Sequence, residues 1–373
     1  MSRGSSVTVA GNGVAGYACA ARLAEQGVPV TLIGPGLPCD RPPLSKRALI
    51  TGRIPYLAGA AALESAGITH LDGWASAVDL GRRELRFTPR AGRGLRTAGF
   101  DTLVWATGLR LSLPPVQGIE AAQQNADPAG FASLLRLLAR PARRVAVLGA
   151  GLIGTETAAT LSRSHRVTLI DRSRSPLHRL HPAVSAAAWS ALSDLGVVFA
   201  GDRSVERIEP APGGGHVVHT TANGTFAADV VVAATGVRAT IPPELGGAAC
   251  LDTDEQLAVP GMDRVWACGD AAAFPHPRFG RLTIPHVDNA RASGRHVADA
   301  ILGARTPYTR DPYWFSDIGP LRIQQVGPDT AACQWTERDG LYVGQGCDGR
   351  PACVVLLNAP QRLNEARRLI AAA

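Results

Sequence analysis

The chain has 373 residues, which is more than one hydrophobic core usually supports, so two or three domains are expected. Its composition, 46% hydrophobic and 18% charged, is typical of a soluble globular protein. It contains no run of 18 apolar residues and no leader-like N-terminus, which predicts no membrane association and a cytoplasmic location. The net charge of +7 comes without a basic cluster interleaved with aromatic residues, which disfavours nucleic acid as a partner. A spread positive surface suits an acidic protein partner, unless it only reflects an arginine-rich composition.

The first predicted element is a strand, Val7–Ala10, which runs into a glycine-rich turn and then a helix over Tyr17–Glu25. The turn has the pattern G-x-G-x-x-G, with glycines at Gly11, Gly13 and Gly16. In this context the first glycine makes a tight turn, the second lets a diphosphate approach the helix N-terminus, and the third lets helix and strand pack closely. A single such motif is weak, because a glycine turn can also serve packing alone.

A second strand, Val30–Ile33, ends at Gly34, and a proline-stiffened loop then leads to Lys46 and a short helix. Lys46 is the only lysine among 38 basic residues. An arginine-rich chain that keeps one lysine indicates a position where a compact ammonium is needed, although chance survival is an equal alternative. Residues 65–98 are predicted to form short strands with turns, followed by a buried strand over Phe100–Trp105.

The strand Val145–Leu148 begins a second copy of the same pattern, with glycines at Gly149, Gly151 and Gly154 and a helix over Thr155–Ser162. Two motifs in the same strand-turn-helix context predict a protein that binds two dinucleotides. Two buried strands end in the same three residues, Ala-Thr-Gly, at Gly108 and at Gly236, as expected where a strand stops beneath its ligand.

The last third begins with a buried strand that ends in Gly269-Asp270, followed by a helix over Asn289–Ile301. Residues from Tyr308 onward alternate strands with turns and close with a helix over Pro360–Ala372, which predicts a small α+β module. The predicted fold class is therefore α/β, with two Rossmann-like dinucleotide-binding domains and a small α+β C-terminal domain.

The seven cysteines are scattered, with no C-x-x-C or C-x-x-x-x-C pair. This spacing disfavours a disulfide scaffold, a metal site and a dithiol redox centre, and so argues against a flavin disulfide reductase.

In this order the motifs resemble the NADH-dependent ferredoxin reductases that serve oxygenases and P450s, a family that includes putidaredoxin reductase and relatives of apoptosis-inducing factor. The most specific match is the heptapeptide from Asp40 to Lys46, and the resemblance extends over nearly the full length. The resemblance implies a pyridine nucleotide-disulfide oxidoreductase-like fold with FAD at the first motif and NADH at the second. It also implies three domains: 1–112 with 239–305 for FAD, 113–238 for the nicotinamide nucleotide, and 306–373 as the C-terminal domain.

The resemblance also assigns residues to the two cofactors. Asp270 would bind the FAD ribitol, Arg41 a phosphate or flavin carbonyl, and Lys46, paired with Glu156, would lie near flavin N5 and O4 as the catalytic pair. The remaining FAD positions are Gly11, Gly13, Ala15, Gly16, Ala106, Thr107, Gly108, Gly269, His286 and Val287. Those for the nicotinamide nucleotide are Gly149, Gly151, Ile153, Gly154, Glu156, Asp171 and Gly236.

Asp171 ends the strand Arg166–Ile170, where a carboxylate binds ribose hydroxyls and repels a 2′-phosphate, so NADH is favoured. Arg172 and Arg174 follow at once and could bind that phosphate, which leaves NADPH as an alternative.

Four places depart from the family pattern. No Asp or Glu follows Ile33 to hold the adenosine ribose of FAD, and Cys39 replaces a tyrosine. The usual Glu-x-Trp becomes Pro285-His286-Val287, and the arginine ahead of the second motif is replaced within residues 125–128.

We expect hydride transfer from NADH to FAD and single-electron transfer to an acidic 2Fe–2S ferredoxin. The altered flavin edge leaves open a flavoenzyme that acts directly on a small molecule. A flavoprotein whose NADH complex signals through assembly is a lesser alternative, and a non-enzymatic binding role is the least favoured. The chain is expected to be a monomer or a dimer.

Overall fold

The structure, a computed structural model, describes residues 6–124, 128–328, 334–338 and 340–372, without the side chains of residues 42 and 43. The helices in the described residues are α1 Val14–Ala24, α2 Arg47–Thr51, α3 Ala60–Ser65, α4 Pro128–Leu137, α5 Leu152–Leu161, α6 Pro182–Asp194, α7 Val287–Ile301 and α8 Leu363–Ala371. Short 3-10 helices span Pro42–Ser45, Ile119–Ala121, Pro243–Leu245, Gly269–Ala271 and Pro360–Arg362.

The strands in the described residues are β1 Val7–Ala10, β2 Val30–Gly34, β3 Ile68–Asp79, β4 Glu84–Pro89, β5 Arg96–Gly99, β6 Thr102–Trp105, β7 Leu109–Leu111, β8 Arg144–Leu148, β9 Arg166–Ile170, β10 Val198–Ala200, β11 Val205–Pro210, β12 His216–Thr220, β13 Gly224–Ala228, β14 Val230–Ala233, β15 Val237–Ala239, β16 Leu251–Asp252, β17 Val265–Ala267, β18 Ala272–His276, β19 Gly280–Leu282, β20 Tyr313–Ile318, β21 Leu321–Val326, β22 Gln334–Arg338, β23 Leu341–Gln345 and β24 Pro351–Leu357.

The chain divides into two compact units, each built from several segments. The first unit contains residues up to Arg41 together with Pro55–Arg110 and Arg238–Tyr313. The second contains Pro42–Ile54, Leu111–Val237 and the residues from Trp314 onward. The loop that carries Lys46 and the C-terminal residues therefore belong to the same unit as the second glycine motif. The three-domain division expected from the sequence stays a prediction.

The first unit is built on a seven-stranded sheet in the order β17-β6-β1-β2-β3-β4-β5. Strands β17, β6, β1, β2 and β3 pair in parallel, and β4 and β5 extend the sheet in antiparallel fashion. The central strand β1 is fully buried, as expected for a strand that is covered on both faces. The carboxyl ends of the five parallel strands therefore share one edge, where α/β sheets bind ligands.

The second unit contains a parallel four-stranded sheet, β10-β9-β8-β14, and a three-stranded antiparallel sheet, β11-β12-β13. Its C-terminal part forms a five-stranded sheet, β20-β21-β24-β23-β22, which α8 follows in the chain. Strands β21, β23 and β24 and the closing helix correspond to elements that the sequence predicted, whereas β20 and β22 were not predicted.

Several predicted boundaries were wrong. Helix α5 begins at Leu152 instead of Thr155, and α7 begins at Val287 instead of Asn289. Helix α1 begins at Val14 instead of Tyr17, because Gly13 has the extended backbone of an N-cap and the motif itself forms the first turn. Within residues 65–98, β3 is a 12-residue strand, since it pairs with β2 at one end and β4 at the other. Before α8, residues Pro360–Arg362 form a 3-10 turn.

Among the described residues, no helix has both the length and the apolar character needed to cross a membrane. Among the described residues, Cys19, Cys39, Cys250 and Cys268 are free thiols, whereas Cys347 is disulfide-bonded.

Candidate functional site

The first glycine motif forms a cradle at the end of β1. Gly11 has φ +108° and lies so close to the residue after β6 that an added Cβ would be 2.2 Å from the Ala106 oxygen. A Cβ on Gly16 would be 1.8 Å from the Gly11 oxygen, whereas one on Gly13 would meet nothing within 4 Å. The first and third positions therefore admit only glycine for packing, and the second faces open space. The amides that begin α1, including that of Ala15, are available for a diphosphate.

The second motif repeats this geometry in the second unit. Gly149 has φ +101°, and its added Cβ would be 2.4 Å from the Ala234 oxygen. A Cβ on Gly154 would be 1.8 Å from the Gly149 oxygen, and one on Gly151 would meet no atom within 4 Å. Ile153, in the first turn of α5, is 38% exposed. Gly236, with φ +109°, follows the strand β14.

Polar groups of the first unit fit FAD, the cofactor implied by the resemblance. The Thr107 Oγ1 and Asp40 Oδ1 atoms are buried and have no hydrogen-bond partner within the described part of the chain. Asp270 lies in the 3-10 turn after β17, and burial raises its pKa to about 6, an effect that the positive charge of Arg41 opposes. Unsatisfied buried acceptors and donors of this kind are expected where ligand hydroxyls bind.

The other predicted FAD residues lie on turns or helix starts of the same unit. Gly108 (φ +63°) follows β6, and an added Cβ on Gly269 would be 2.8 Å from the Cβ of Ala15. His286 is the N-cap of α7, with its Nδ1 accepting from the Asp288 amide at 3.4 Å, and Val287 begins that helix. The His286 ring meets the Tyr313 ring edge-on at 5.8 Å.

Asp171 connects the strand β9 to the second glycine motif. Its Oδ2 accepts from the Ala150 amide at 2.7 Å, and its Oδ1 accepts from the Ser173 amide at 2.7 Å. These bonds place the carboxylate beside the turn where a nucleotide ribose would lie. Arg172 and Arg174 are exposed, and Arg174 is 3.9 Å from Asp202.

Lys46 and Glu156 meet in the second unit. The Lys46 Nζ is 2.8 Å from Glu156 Oε1, and the Glu156 side chain is only 8% exposed. Two serine hydroxyls donate to the same carboxylate, Ser45 Oγ to Oε2 at 2.6 Å and Ser316 Oγ to Oε1 at 2.5 Å. The Thr160 hydroxyl in turn donates to the Ser45 carbonyl at 3.1 Å. Glu156 is therefore a buried anion whose two oxygens both accept hydrogen bonds.

A second carboxylate, Asp317, shares the lysine. Its Oδ2 is 3.7 Å from Lys46 Nζ, and its Oδ1 accepts from Arg322 Nη1 at 3.2 Å. The Phe315 ring contacts both cations, with its centre 5.1 Å from Lys46 Nζ and 4.9 Å from the Arg322 guanidinium carbon. Sequence reasoning missed the contacts of Ser45 and Asp317. The sequence signal for these two residues was that Ser45 lies in the motif Asp40 to Lys46 and Asp317 in the motif Tyr313 to Asp317, both of which carry the resemblance.

Three buried cysteines of the first unit, Cys19, Cys39 and Cys268, are poor nucleophiles. Burial raises the pKa of Cys39 to about 11 and that of Cys268 to about 12, and it also raises the pKa of Cys19. A thiol with so high a pKa is almost entirely protonated near neutral pH, so none of these three supports thiol chemistry. Among the described residues, no group of three or more His, Cys, Asp or Glu side chains could hold a metal ion.

Comparison with known proteins places the chain in a family. Residues 5–294 match the family described as pyridine nucleotide-disulphide oxidoreductase. The chain is 33% identical to the anthranilate 1,2-dioxygenase system ferredoxin–NAD(+) reductase component of Burkholderia cepacia, covering 97% of this chain and 93% of that protein.

Solved structures agree with this match. The ferredoxin reductase for the CYP199A2 system of Rhodopseudomonas palustris is 25% identical, with a TM-score of 0.86 over 96% of this chain and 93% of that one. The reductase complexed with putidaredoxin has a TM-score of 0.88 at 24% identity, covering 99% of this chain and 93% of that chain.

The chain belongs to the pyridine nucleotide-disulphide oxidoreductase family. This membership confirms the predicted fold class and enzyme class, and the cofactor pair of FAD and NADH. The roles of individual site residues stay predictions. The predicted replacement of an arginine falls mainly on residues 125–127, which lie outside the described residues.

Proposed function

We propose that the chain is an FAD-dependent oxidoreductase that accepts hydride from NADH and passes single electrons to a 2Fe–2S ferredoxin-type partner of an oxygenase or P450. The observation that carries this proposal is similarity over 97% of the chain to a reductase component of a dioxygenase system. FAD, when bound, supplies the step between a two-electron donor and a one-electron acceptor.

The chain's own residues have three tasks in this proposal. Gly13 and Ala15 bind the FAD diphosphate, and Asp270 orients the cofactor through its ribitol. Gly151 and the start of α5 bind the NADH diphosphate, with Asp171 holding the ribose. Lys46 provides the positive charge that stabilises the negative charge arriving with the hydride, and Glu156 holds its ammonium in place.

The buried, protonated thiols support electron transfer without a cysteine relay. The net charge of +7 supports an acidic partner, since opposite charges speed the encounter between proteins. We propose the cytoplasm as the location.

The test is NADH-dependent reduction of cytochrome c by the FAD-loaded protein, with and without a 2Fe–2S ferredoxin. A rate that rises with ferredoxin concentration and falls with added salt supports the proposal. A rate that is independent of ferredoxin, together with flavin reduction by a metabolite in the absence of NADH, contradicts it.

A further inference from the structure

The first unit has no acidic residue at the end of β2, and the structure explains why none fits at Gly34. A Cβ added there would lie 2.2 Å from Cγ of Asn12, whose side chain fills the space above the strand. Asn12 is 3% exposed, and its Nδ2 donates to the Gly36 oxygen at 2.6 Å. The side chain of Asn12 thus occupies the position from which a carboxylate on residue 34 would project.

A carboxylate reaches the same edge from the neighbouring strand. Asp72 on β3 is in register with Gly34 on β2, and the two strands are parallel. Its Oδ1 accepts from the Gly36 amide at 2.8 Å, so it lies directly beside the turn that follows β2. This turn stands next to the glycine cradle, because β1 and β2 are also parallel neighbours and the Gly11 amide donates to the Ile33 oxygen at 2.7 Å.

Arg90 holds Asp72 in a fixed orientation. The Arg90 Nε atom is 3.1 Å from Oδ1 and 2.9 Å from Oδ2 of Asp72. The Arg90 amide also donates to the Asp72 carbonyl at 3.0 Å. A carboxylate has about four lone-pair positions, and the contacts of the described residues use fewer than that. The Asp72 side chain is 37% exposed, so a ligand hydroxyl can reach it.

We propose that Asp72 replaces the missing carboxylate and binds the hydroxyls of the adenosine ribose of FAD. The inference rests on FAD binding in the first cradle, as proposed above. Asp72 is then a specificity-determining residue that distinguishes FAD from flavins without those hydroxyls.

The test measures flavin affinity of the apoprotein by the change in flavin fluorescence, and it needs no turnover. The probes are FAD, an FAD analogue with 2′,3′-dideoxyribose on the adenosine side, and FMN. The wild-type protein should bind FAD about tenfold more tightly than the dideoxy analogue, as expected for hydroxyls that donate to a charged acceptor. Asp72→Asn should reduce this ratio severalfold, Asp72→Ala should abolish it, and neither should change FMN affinity.

Asp79→Asn is the matched control. Asp79 lies on the same strand, is similarly exposed at 32%, and accepts from the Arg82 amide at 2.9 Å, but it is at the far end of β3. Its substitution should leave the ratio unchanged. Melting temperatures show whether either Asp72 variant is misfolded. If the Ala variant is misfolded, the isosteric Asn variant still tests the effect of the charge.

A wild-type protein that binds FAD and the dideoxy analogue equally would overturn this inference alone. The same holds if both Asp72 variants keep the wild-type ratio. A protein that takes up neither FAD nor the analogue would overturn the proposed function as well.

Discussion

The hydroxyl of Ser316 donates to Oε1 of Glu156 at 2.5 Å, the same oxygen that lies 2.8 Å from the Lys46 ammonium. Residues 160 positions apart thus form one buried polar cluster within the second unit. A buried carboxylate is costly unless its oxygens are bonded, so the serine hydroxyls stabilise the anion that holds Lys46.

Ser316→Ala should therefore lower the free energy of unfolding by about 2 kcal/mol, the loss expected when a hydrogen bond to a buried charge is removed. Urea denaturation measures this. The control is Ser162→Ala, since that hydroxyl only donates to the Ala159 carbonyl in the last turn of α5, and the expected change is below about 0.5 kcal/mol. Equal effects of the two substitutions would remove the special role of Ser316.

Lys46→Met should slow flavin reduction by NADH about a hundredfold without unfolding the protein, because it removes a positive charge that is present where negative charge develops. Anaerobic stopped-flow absorbance measures the rate. Arg47→Met, one residue further along and exposed, should leave the rate unchanged. An unaltered rate in Lys46→Met would exclude this lysine from the reaction.

Asp171→Asn should raise the dissociation constant for NADH about tenfold and leave that for NADPH nearly unchanged, because the carboxylate binds ribose hydroxyls and repels a 2′-phosphate. Titration of each nucleotide measures both constants. Asp202→Asn removes one negative charge at an exposed site near Arg174 and controls for net charge. An equal loss of affinity for NADH and NADPH in Asp171→Asn would show that the residue only shapes the turn at Ala150.

Asp270 should make the stability of the flavin-free protein depend on pH. Burial raises its pKa in the folded state from 3.8 to about 6, so the folded chain binds this proton more tightly than the unfolded chain. The free energy of unfolding should therefore fall as pH rises from about 4 to about 6. Because Asp270 is only half-buried, the effect is modest, and Asp270→Asn should remove it. Urea denaturation across this pH range measures the difference, and identical slopes in both proteins would contradict the assignment.

The sequence predicted both cradles because close packing leaves only glycine at Gly11, Gly16, Gly149 and Gly154, and that constraint appears directly as a motif. The partners of Glu156 could not be predicted from the residues alone. Ser45 and Ser316 lie 111 and 160 residues away from it, and a serine carries no signal of which distant carboxylate it will meet. The position of Asp72 could not be predicted either, since only the register between β2 and β3 brings it to the edge beside Gly34.

The central claim is that the chain binds both FAD and NADH and that NADH reduces the bound FAD. Anaerobic titration of the FAD-loaded protein with NADH tests it most directly, through the visible absorbance of the flavin. The account predicts tight FAD uptake and complete loss of the oxidised-flavin absorbance at about one NADH per flavin. A protein that takes up no FAD, or whose bound flavin stays oxidised in excess NADH, would contradict it.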